Sequence, residues 1–392
     1  MKQFSISILL LCFTVLGYGQ GSVESVLREI EKNSPVLKAA AAETEAERLS
    51  GKAETLLANP EVEFNYLWGA EGIGGRHDLR VTQSFDLPTL TGMKAGKAGN
   101  LGELASLRYK AERQAVLLEA KQACIDLVYW NSILEELRGH LEQSTALVDS
   151  YEKRLKAGES TVLDLNKARI HQTSVHGQVN RAEAERQTLL ATLRALNGGR
   201  EIDFDATAYD LDELFPDRFD SWFAEAAEQS PMLGYVRKQV ELEERQVAID
   251  RASAFPELTV GYMSEIATAE QFRGLTVGVN IPLWGAGNKV RQSRARAAAA
   301  AQRRDAAEQE FFSDLQNQYA KARSMKENAE MMRRSLSETD SRKFLLSALS
   351  NGEISMIDYL VETDLYYEAL EATLEAERDY RHALASLNAY AL

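Results

Sequence analysis

Leu155-Lys156-Ala157-Gly158-Glu159, with Asp164 five residues on, returns as Leu349-Ser350-Asn351-Gly352-Glu353, with Asp358 five residues on. The two glycines lie 194 positions apart, and what surrounds each is the same. A long Gly- and Pro-poor stretch runs into the glycine, the residue that most readily takes the left-handed conformation ending a helix. A new helix then starts at Thr161-x-x-Asp164 or Ser355-x-x-Asp358, the capping-box spacing with an acid in the first turn. The chain therefore contains two helix–tight turn–helix units, and a motif met twice makes internal duplication the first question.

Outward from the two turns the duplication continues. Asn33-Ser34-Pro35-Val36-Leu37 answers Gln229-Ser230-Pro231-Met232-Leu233, Asn59-Pro60-Glu61-Val62 answers Phe255-Pro256-Glu257-Leu258, and Phe85-Asp86-Leu87-Pro88 answers Val279-Asn280-Ile281-Pro282. The offset is 196 at Pro35/Pro231 and Pro60/Pro256, and 194 at Pro88/Pro282. The two-residue difference falls between Pro60 and Pro88, which predicts an exposed hairpin loop there, over Ala70 to Asp78. Ser34 and Ser230 precede prolines and read as N-caps with Pro at the first helical position.

Between the prolines the pattern has period two. Val62, Phe64, Tyr66 and Trp68 alternate with Glu61, Glu63 and Asn65, while Leu79, Val81, Phe85 and Leu87 alternate with Arg80, Thr82, Ser84 and Asp86. In the second half Leu258, Val260 and Tyr262, then Leu275, Val277, Val279 and Ile281, alternate with Thr, Gly and Asn. Strands of about ten residues with aromatics at their ends and polar residues opposite suit a lipid-facing barrel. Four strands cannot close a lumen, so closure would need several chains. The expected lipid-facing residues are Val62, Phe64, Tyr66, Trp68, Val81, Phe85, Val260, Tyr262, Val277 and Val279.

From Asn288 to Asn351 there is neither Gly nor Pro, which predicts one helix on the order of 90 Å long. Phe312, Leu315, Tyr319, Ala322, Met325, Ala329, Met332 and Leu336 recur at 3–4 spacing along it, as do Leu134, Leu137, Leu141, Val148, Tyr151 and Leu155 in the first half. Such narrow stripes are coiled-coil seams.

The ends set the compartment. Lys2, the apolar run Ile6 to Leu16, and Gly17-Tyr18-Gly19 read as a secretory signal over residues 1–20, too short to span a bilayer. Cys12 lies inside the apolar run, where it does not fit a lipidation site. Without that segment one cysteine remains, Cys124, which reads as a small buried hydrophobe. The remaining 44 Lys+Arg against 59 Asp+Glu leave −15, an excess that argues against nucleic acid and suits an aqueous passage for cations. His77, His140, His171, His176 and His382 are scattered, and His171 and His176 do not share a helix face. Gly72, Gly74 and Gly75 lack the Gly-Lys-Ser/Thr of a phosphate loop. No catalytic, cofactor-binding or metal-ligating constellation is expected.

Taken together, these features resemble the TolC family of outer-membrane efflux proteins over residues 22–392. The sharpest motifs are the two turns, Arg154-Leu155-Lys156-Ala157-Gly158 continuing to Asp164-Leu165, and Leu349-Ser350-Asn351-Gly352 continuing to Asp358-Tyr359-Leu360. The resemblance implies a mostly α fold with a transmembrane β section, in a homotrimer whose strands form a twelve-stranded barrel in outer-membrane lipid and whose helices form a periplasmic tunnel. The repeats would be 21–200 (strands 60–68 and 79–88, helices 93–157 and 160–197) and 222–392 (strands 256–265 and 273–282, helices 288–351 and 354–390). Residues 201–221 would link them within a belt around the tunnel's middle, which the C-terminal end completes. Ala157, Gly158, Glu159, Asn351, Gly352 and Glu353 would be tips that meet a periplasmic adaptor and an inner-membrane transporter. Asp358 would narrow the entrance as a carboxylate ring beside Asp164.

Two departures from the family pattern stand out. A second aspartate expected one turn further on is Val361 here, and Glu362 is its expected substitute. The Tyr and Arg of the family's latch correspond to Leu349 and Ile354, which cannot form the same hydrogen bonds. The implied function is a passive exit duct without enzymatic activity. Modest length, short loops and acidic balance lean it toward the CusC/CzcC-like heavy-metal cation branch. A drug or type I secretion duct is the alternative, and a periplasmic adaptor or structural coiled coil is the rival from another class.

Overall fold

The computed structural model describes residues 22–392 apart from 72–73, 87, 210–214, 268–269, 283 and 341, and apart from the side chains of Ala286 and Lys343. The signal-type segment 1–20, Leu87 and part of the 201–221 linker thus lie outside the described residues. In chain order the elements are α1 (Val23–Asn33), α2 (Pro35–Ala53), β1 (Glu61–Trp68), β2 (Gly75–Phe85), α3 (Pro88–Lys156), α4 (Val162–Leu196), α5 (Phe219–Gln229), α6 (Pro231–Ala252), β3 (Glu257–Ile266), β4 (Gln271–Asn280), α7 (Ala286–Thr339), α8 (Arg342–Ser350) and α9 (Met356–Leu387), with a 3-10 turn at Ala389–Ala391. Helix pairs and a hairpin thus appear twice in the same order. No helix among the described residues is long and apolar enough to cross a membrane.

The chain divides into two compact units. One contains residues 35–118, 214–327 and 383–392 and carries the sheet, a four-stranded antiparallel meander in the order β1-β2-β3-β4. Its helical core gathers Trp222 and Ala226 of α5, Leu315 and Ala322 of α7, and Leu387, with Phe215, Phe219, Phe223 and Tyr390 packed around them. The Tyr319 hydroxyl donates to the Pro216 carbonyl at 2.8 Å, tying the chain before α5 to α7. Ser230 caps α6 as its sequence predicts, its hydroxyl accepting from the Leu233 N–H at 3.3 Å.

The described residues of 22–34, 119–209 and 328–382 form the other unit. Leu134 and Leu137 of the predicted seam join Tyr129 and Ile133 of α3 in a core packed on Ala182 of α4. Cys124 is fully buried, and that burial pushes its thiol up to about 12. The segment after α4 lies along α3, where Asn131 and Ser132 donate to the carbonyls of Ala206 and Thr207.

Four sequence expectations need correction. The hairpin loop is shorter than Ala70–Asp78, because β2 begins at Gly75 opposite Trp68. Arg76 and Asp78 look like loop residues but are strand residues with partners, Arg76 reaching Glu265 across the sheet at 2.9 Å. At its far end β2 stops at Phe85, short of residue 88. The helix expected over 288–351 is broken after Thr339. Asp340 accepts from the Arg342 N–H at 3.2 Å and from its guanidinium at 3.0 Å, so an aspartate offering the backbone a competing acceptor restarts the helix where no Gly or Pro signals a stop. Lastly, Ser34 lies between α1 and α2, yet its hydroxyl is buried with no hydrogen-bond partner and caps nothing.

Candidate functional site

The sheet's register decides how its side chains are shared between faces. Val62 faces Val81, Val81 faces Tyr262, and Tyr262 faces Leu275; Phe85, Leu258 and Val279 form a parallel row. Directly opposed residues share a face, so all ten residues expected to meet lipid lie on one side of the sheet. Most of them are bare: Trp68 is 85% exposed, Val277 69% and Phe64 65%. The other side carries most of the charges, with Arg80 bridging Glu63 at 3.1 Å across β1 and β2, while Arg273 lies on the apolar side. Such a face is stable only when apolar matter covers it. The outer edges of β1 and β4 have no partner strand among the described residues, and bare edges are templates for another chain.

The two tips, both in the unit that includes 119–209 and 328–382, are built alike to within tenths of an ångström. At the first, Gly158 has φ +78°, the Glu159 N–H donates to the Arg154 carbonyl at 2.8 Å and the Gly158 N–H to Leu155 at 3.1 Å. At the second, Gly352 has φ +76°, Glu353 donates to Ala348 at 2.8 Å and Gly352 to Leu349 at 3.1 Å. This is the Schellman arrangement, whose positive φ explains why both positions are glycine. Ala157, Gly158, Glu159, Asn351, Gly352 and Glu353 are all exposed.

Both capping boxes form. The Asp164 N–H donates to the Thr161 hydroxyl at 3.2 Å, and that hydroxyl donates to the Asp164 carboxylate at 2.6 Å. At the second tip Ser355 and Asp358 make the same pair at 3.2 and 2.6 Å, and the Ser355 N–H returns to the Asp358 carboxylate at 3.2 Å. These bonds, led by the Thr161 and Ser355 side chains, hold both carboxyls below the usual aspartate range. Asp358, Val361, Glu362 and Leu365 are all exposed and fall on one helical stripe of α9, so Glu362 does lie on the Asp358 side.

Behind the tips, Leu147, Val148 and Tyr151 of α3, Leu165 and Ala168 of α4, Leu349 of α8, and Met356 and Tyr359 of α9 form one apolar cluster, with Ile354 packed against it. Leu349 and Ile354 therefore hold the two hairpins together by apolar packing. Arg342 adds a polar tie, bridging Glu136 at 3.0 Å and lying 4.2 Å over the Tyr366 ring.

The histidines are less scattered than the sequence suggests. His140 of α3 and His171 of α4, 31 residues apart, meet with their Nε2 atoms 3.1 Å from each other. Both are buried, and burial lowers both, His140 to about 4. The signal was available: the pair straddles the Gly158 turn, and antiparallel helices bring such positions together. Among the described residues no group of three or more His, Cys, Asp or Glu is arranged to hold a metal ion.

The site thus combines a half-amphipathic sheet, whose outer edges are open among the described residues, with two helical hairpins ending in exposed, capped turns. Residues 222–391 match the family described as Outer membrane efflux protein. The fold is shared with solved outer-membrane channels. A crystal structure of a membrane protein from Pseudomonas aeruginosa superposes with a TM-score of 0.78 at 15% identity, covering 94% of this chain and 92% of that one. The Campylobacter jejuni CmeC outer membrane channel superposes with a TM-score of 0.73 at 16% identity, covering 94% and 85%. The chain is also similar to the cobalt-zinc-cadmium resistance protein CzcC of Cupriavidus metallidurans, 27% identical over 131 residues. That match spans 33% of this chain and 31% of CzcC.

Proposed function

We propose that three copies of the chain form a passive duct through the outer membrane, receiving cations from an inner-membrane transporter through a periplasmic adaptor. The observation that carries this is the sheet: one apolar face, one charged face and two unpaired edges. Lipid satisfies no backbone hydrogen bond, so those edges must pair with other copies before the sheet spans a bilayer. Three sheets give the twelve strands of a barrel, and the helices would continue it as a tunnel. The two helical repeats (21–200 and 222–392, joined by 201–221) would each present one tip to the adaptor through Ala157 to Glu159 and Asn351 to Glu353. Asp358 and Glu362, with Asp164 beside them, would ring the entrance with carboxylates.

The cation reading draws on the acidic balance of the chain, −14 overall, and on the likeness to a cobalt-zinc-cadmium resistance protein. Light scattering of the detergent-solubilised protein should give a trimer, and planar bilayers should conduct. A stable monomer without conductance overturns the proposal. Photo-cross-linkers at residue 159 or 353 should capture the adaptor in cells, whereas capture only from residue 74 reverses the orientation.

A further inference from the structure

The His140–His171 pair serves neither the tips nor the sheet, and its surroundings are unlike those of a core histidine. We infer that the two imidazoles form a labile binding site for a borderline divalent transition cation such as Zn2+, Ni2+ or Cu2+. The Nε2 atoms are 3.1 Å apart. Metal–nitrogen bonds of about 2.0–2.1 Å at a near-tetrahedral angle set two ligand nitrogens about 3.3 Å apart, so the pair needs only tenths of an ångström of movement. The rings are tilted by 59° with centroids 5.0 Å apart, so the two imidazoles do not meet head-on.

The groups behind the pair suit ligation. The Asp364 carboxylate lies 3.7 Å from His171 Nδ1, so its charge favours the proton on Nδ1 and leaves Nε2 as the acceptor, as in a carboxylate–histidine–metal arrangement. His140 then donates its Nε2–H to His171, and its own Nδ1 is left buried with no partner. Tyr367 stacks on the His140 ring at 3.9 Å and 7°, fixing its plane. When the cation takes both Nε2 lone pairs, the His140 proton moves from Nε2 to Nδ1, and no charge is lost from either ring.

The pair lines a cavity of about 630 Å³ whose wall carries Glu136 of α3, Lys167 and Arg181 of α4, and Asp364, Glu368 and Glu371 of α9. Glu136 is paired with Arg342, and the remaining three carboxylates against two cations leave the wall attractive to a cation. Imidazole ligands select borderline transition ions over Mg2+ and Ca2+, which prefer oxygen. Two protein ligands, with water completing the shell, bind weakly enough to release, which is what transit through a multi-site path requires. The role of the cation as cargo rests on the duct proposed above; the binding chemistry does not.

The test is Cu2+ electron paramagnetic resonance on the full chain, purified without a histidine tag, stripped with EDTA and given one Cu2+ per chain at pH 7.5. The expected spectrum shows superhyperfine coupling to two imidazole nitrogens. His140→Phe, which keeps the stack on Tyr367, and His171→Asn should each weaken Zn2+ binding in a dye competition by at least tenfold. Asp364→Asn should weaken it by up to about tenfold while keeping the two-nitrogen spectrum, as expected of a group that positions His171. An oxygen-only spectrum of the wild type overturns the inference even if the variants do not fold, and so does unchanged affinity in both folded histidine variants. Metal binding without bilayer conductance leaves this site standing and removes only the duct; conductance without metal binding does the reverse.

Discussion

The turns at Gly158 and Gly352 have nearly the same geometry, yet the helices entering them differ. α3 reaches the first turn as one helix of 69 residues with Lys153, Arg154 and Lys156 in its last turn. The second turn is reached through α8, nine residues set off from α7 by Asp340 and without a basic residue in its last turn. The conserved geometry resides in a few backbone bonds and a left-handed glycine, so it survives wholesale replacement of its neighbours. What differs is the support: the second hairpin has a joint about ten residues from its tip, held by Asp340, Arg342 and Glu136.

The comparison is most severely broken by proline. Gly158→Pro and Gly352→Pro each remove a turn hydrogen bond and forbid the positive φ, at a cost of about 3 kcal/mol or more. Both variants should insert their barrels and fail to export, measured by outer-membrane fractionation and an efflux assay. Export that survives one substitution would show that the two tips are not equivalent.

Acid should loosen the first hairpin, where His140 of α3 meets His171 of α4. Burial, and then the charge of a protonated His171, lowers His140 to about 4 from 6.5, while burial lowers His171 against a raising contribution from Asp364. The unfolded chain therefore binds more protons, and stability present above about pH 6.5 is lost as pH falls toward 4. The loss is on the order of 3 kcal/mol for a shift of this size. Thermal melts between pH 7.5 and 4.5 should lose more Tm in the wild type than in His140→Phe. Equal losses would place the acid sensitivity elsewhere.

A smaller effect is expected at the joint. Asp340→Ala removes the acceptor that starts α8 and should cost about 1 kcal/mol, the scale of a cap. Hydrogen exchange should quicken at Leu345 to Ala348 and stay unchanged at Leu147 to Tyr151. The smallest structural effect is expected of Asp358→Asn, whose fold change should be slight while the reversal potential under a salt gradient moves toward lower cation selectivity. An unchanged reversal potential with a clear loss of thermal stability would make Asp358 a cap alone.

How legible these features were in the sequence follows from their physics. Strands betray themselves through period two between prolines, and the tips through glycine followed by Thr/Ser-x-x-Asp, because each is set by neighbours a few residues apart. The joint at Asp340 escaped because aspartate is common on helix surfaces and breaks a helix only when its side chain turns back on the backbone. The start of β2 escaped because Arg76 and Asp78 find partners on another strand, and Ser34 misled because Ser-Pro spacing cannot say whether the hydroxyl is turned inward. The His140–His171 contact depends on packing between two helices, which single-helix periodicity does not address. The pairing of Leu349 and Ile354 within the apolar cluster likewise becomes visible only when four helix ends are brought together.

The central claim is that the sheet closes only between copies, the β1 edge of one chain pairing with the β4 edge of the next. It is tested most directly by cysteine pairs on the charged face, one of Glu61, Glu63 or Asn65 with one of Thr276, Gly278 or Asn280, in a Cys124→Ser background. Oxidation of the purified protein should give, for at least one pair, a band at three times the chain mass on a non-reducing gel, with neither cysteine alone exceeding a dimer. Failure of every pair to yield more than a monomer would contradict the account.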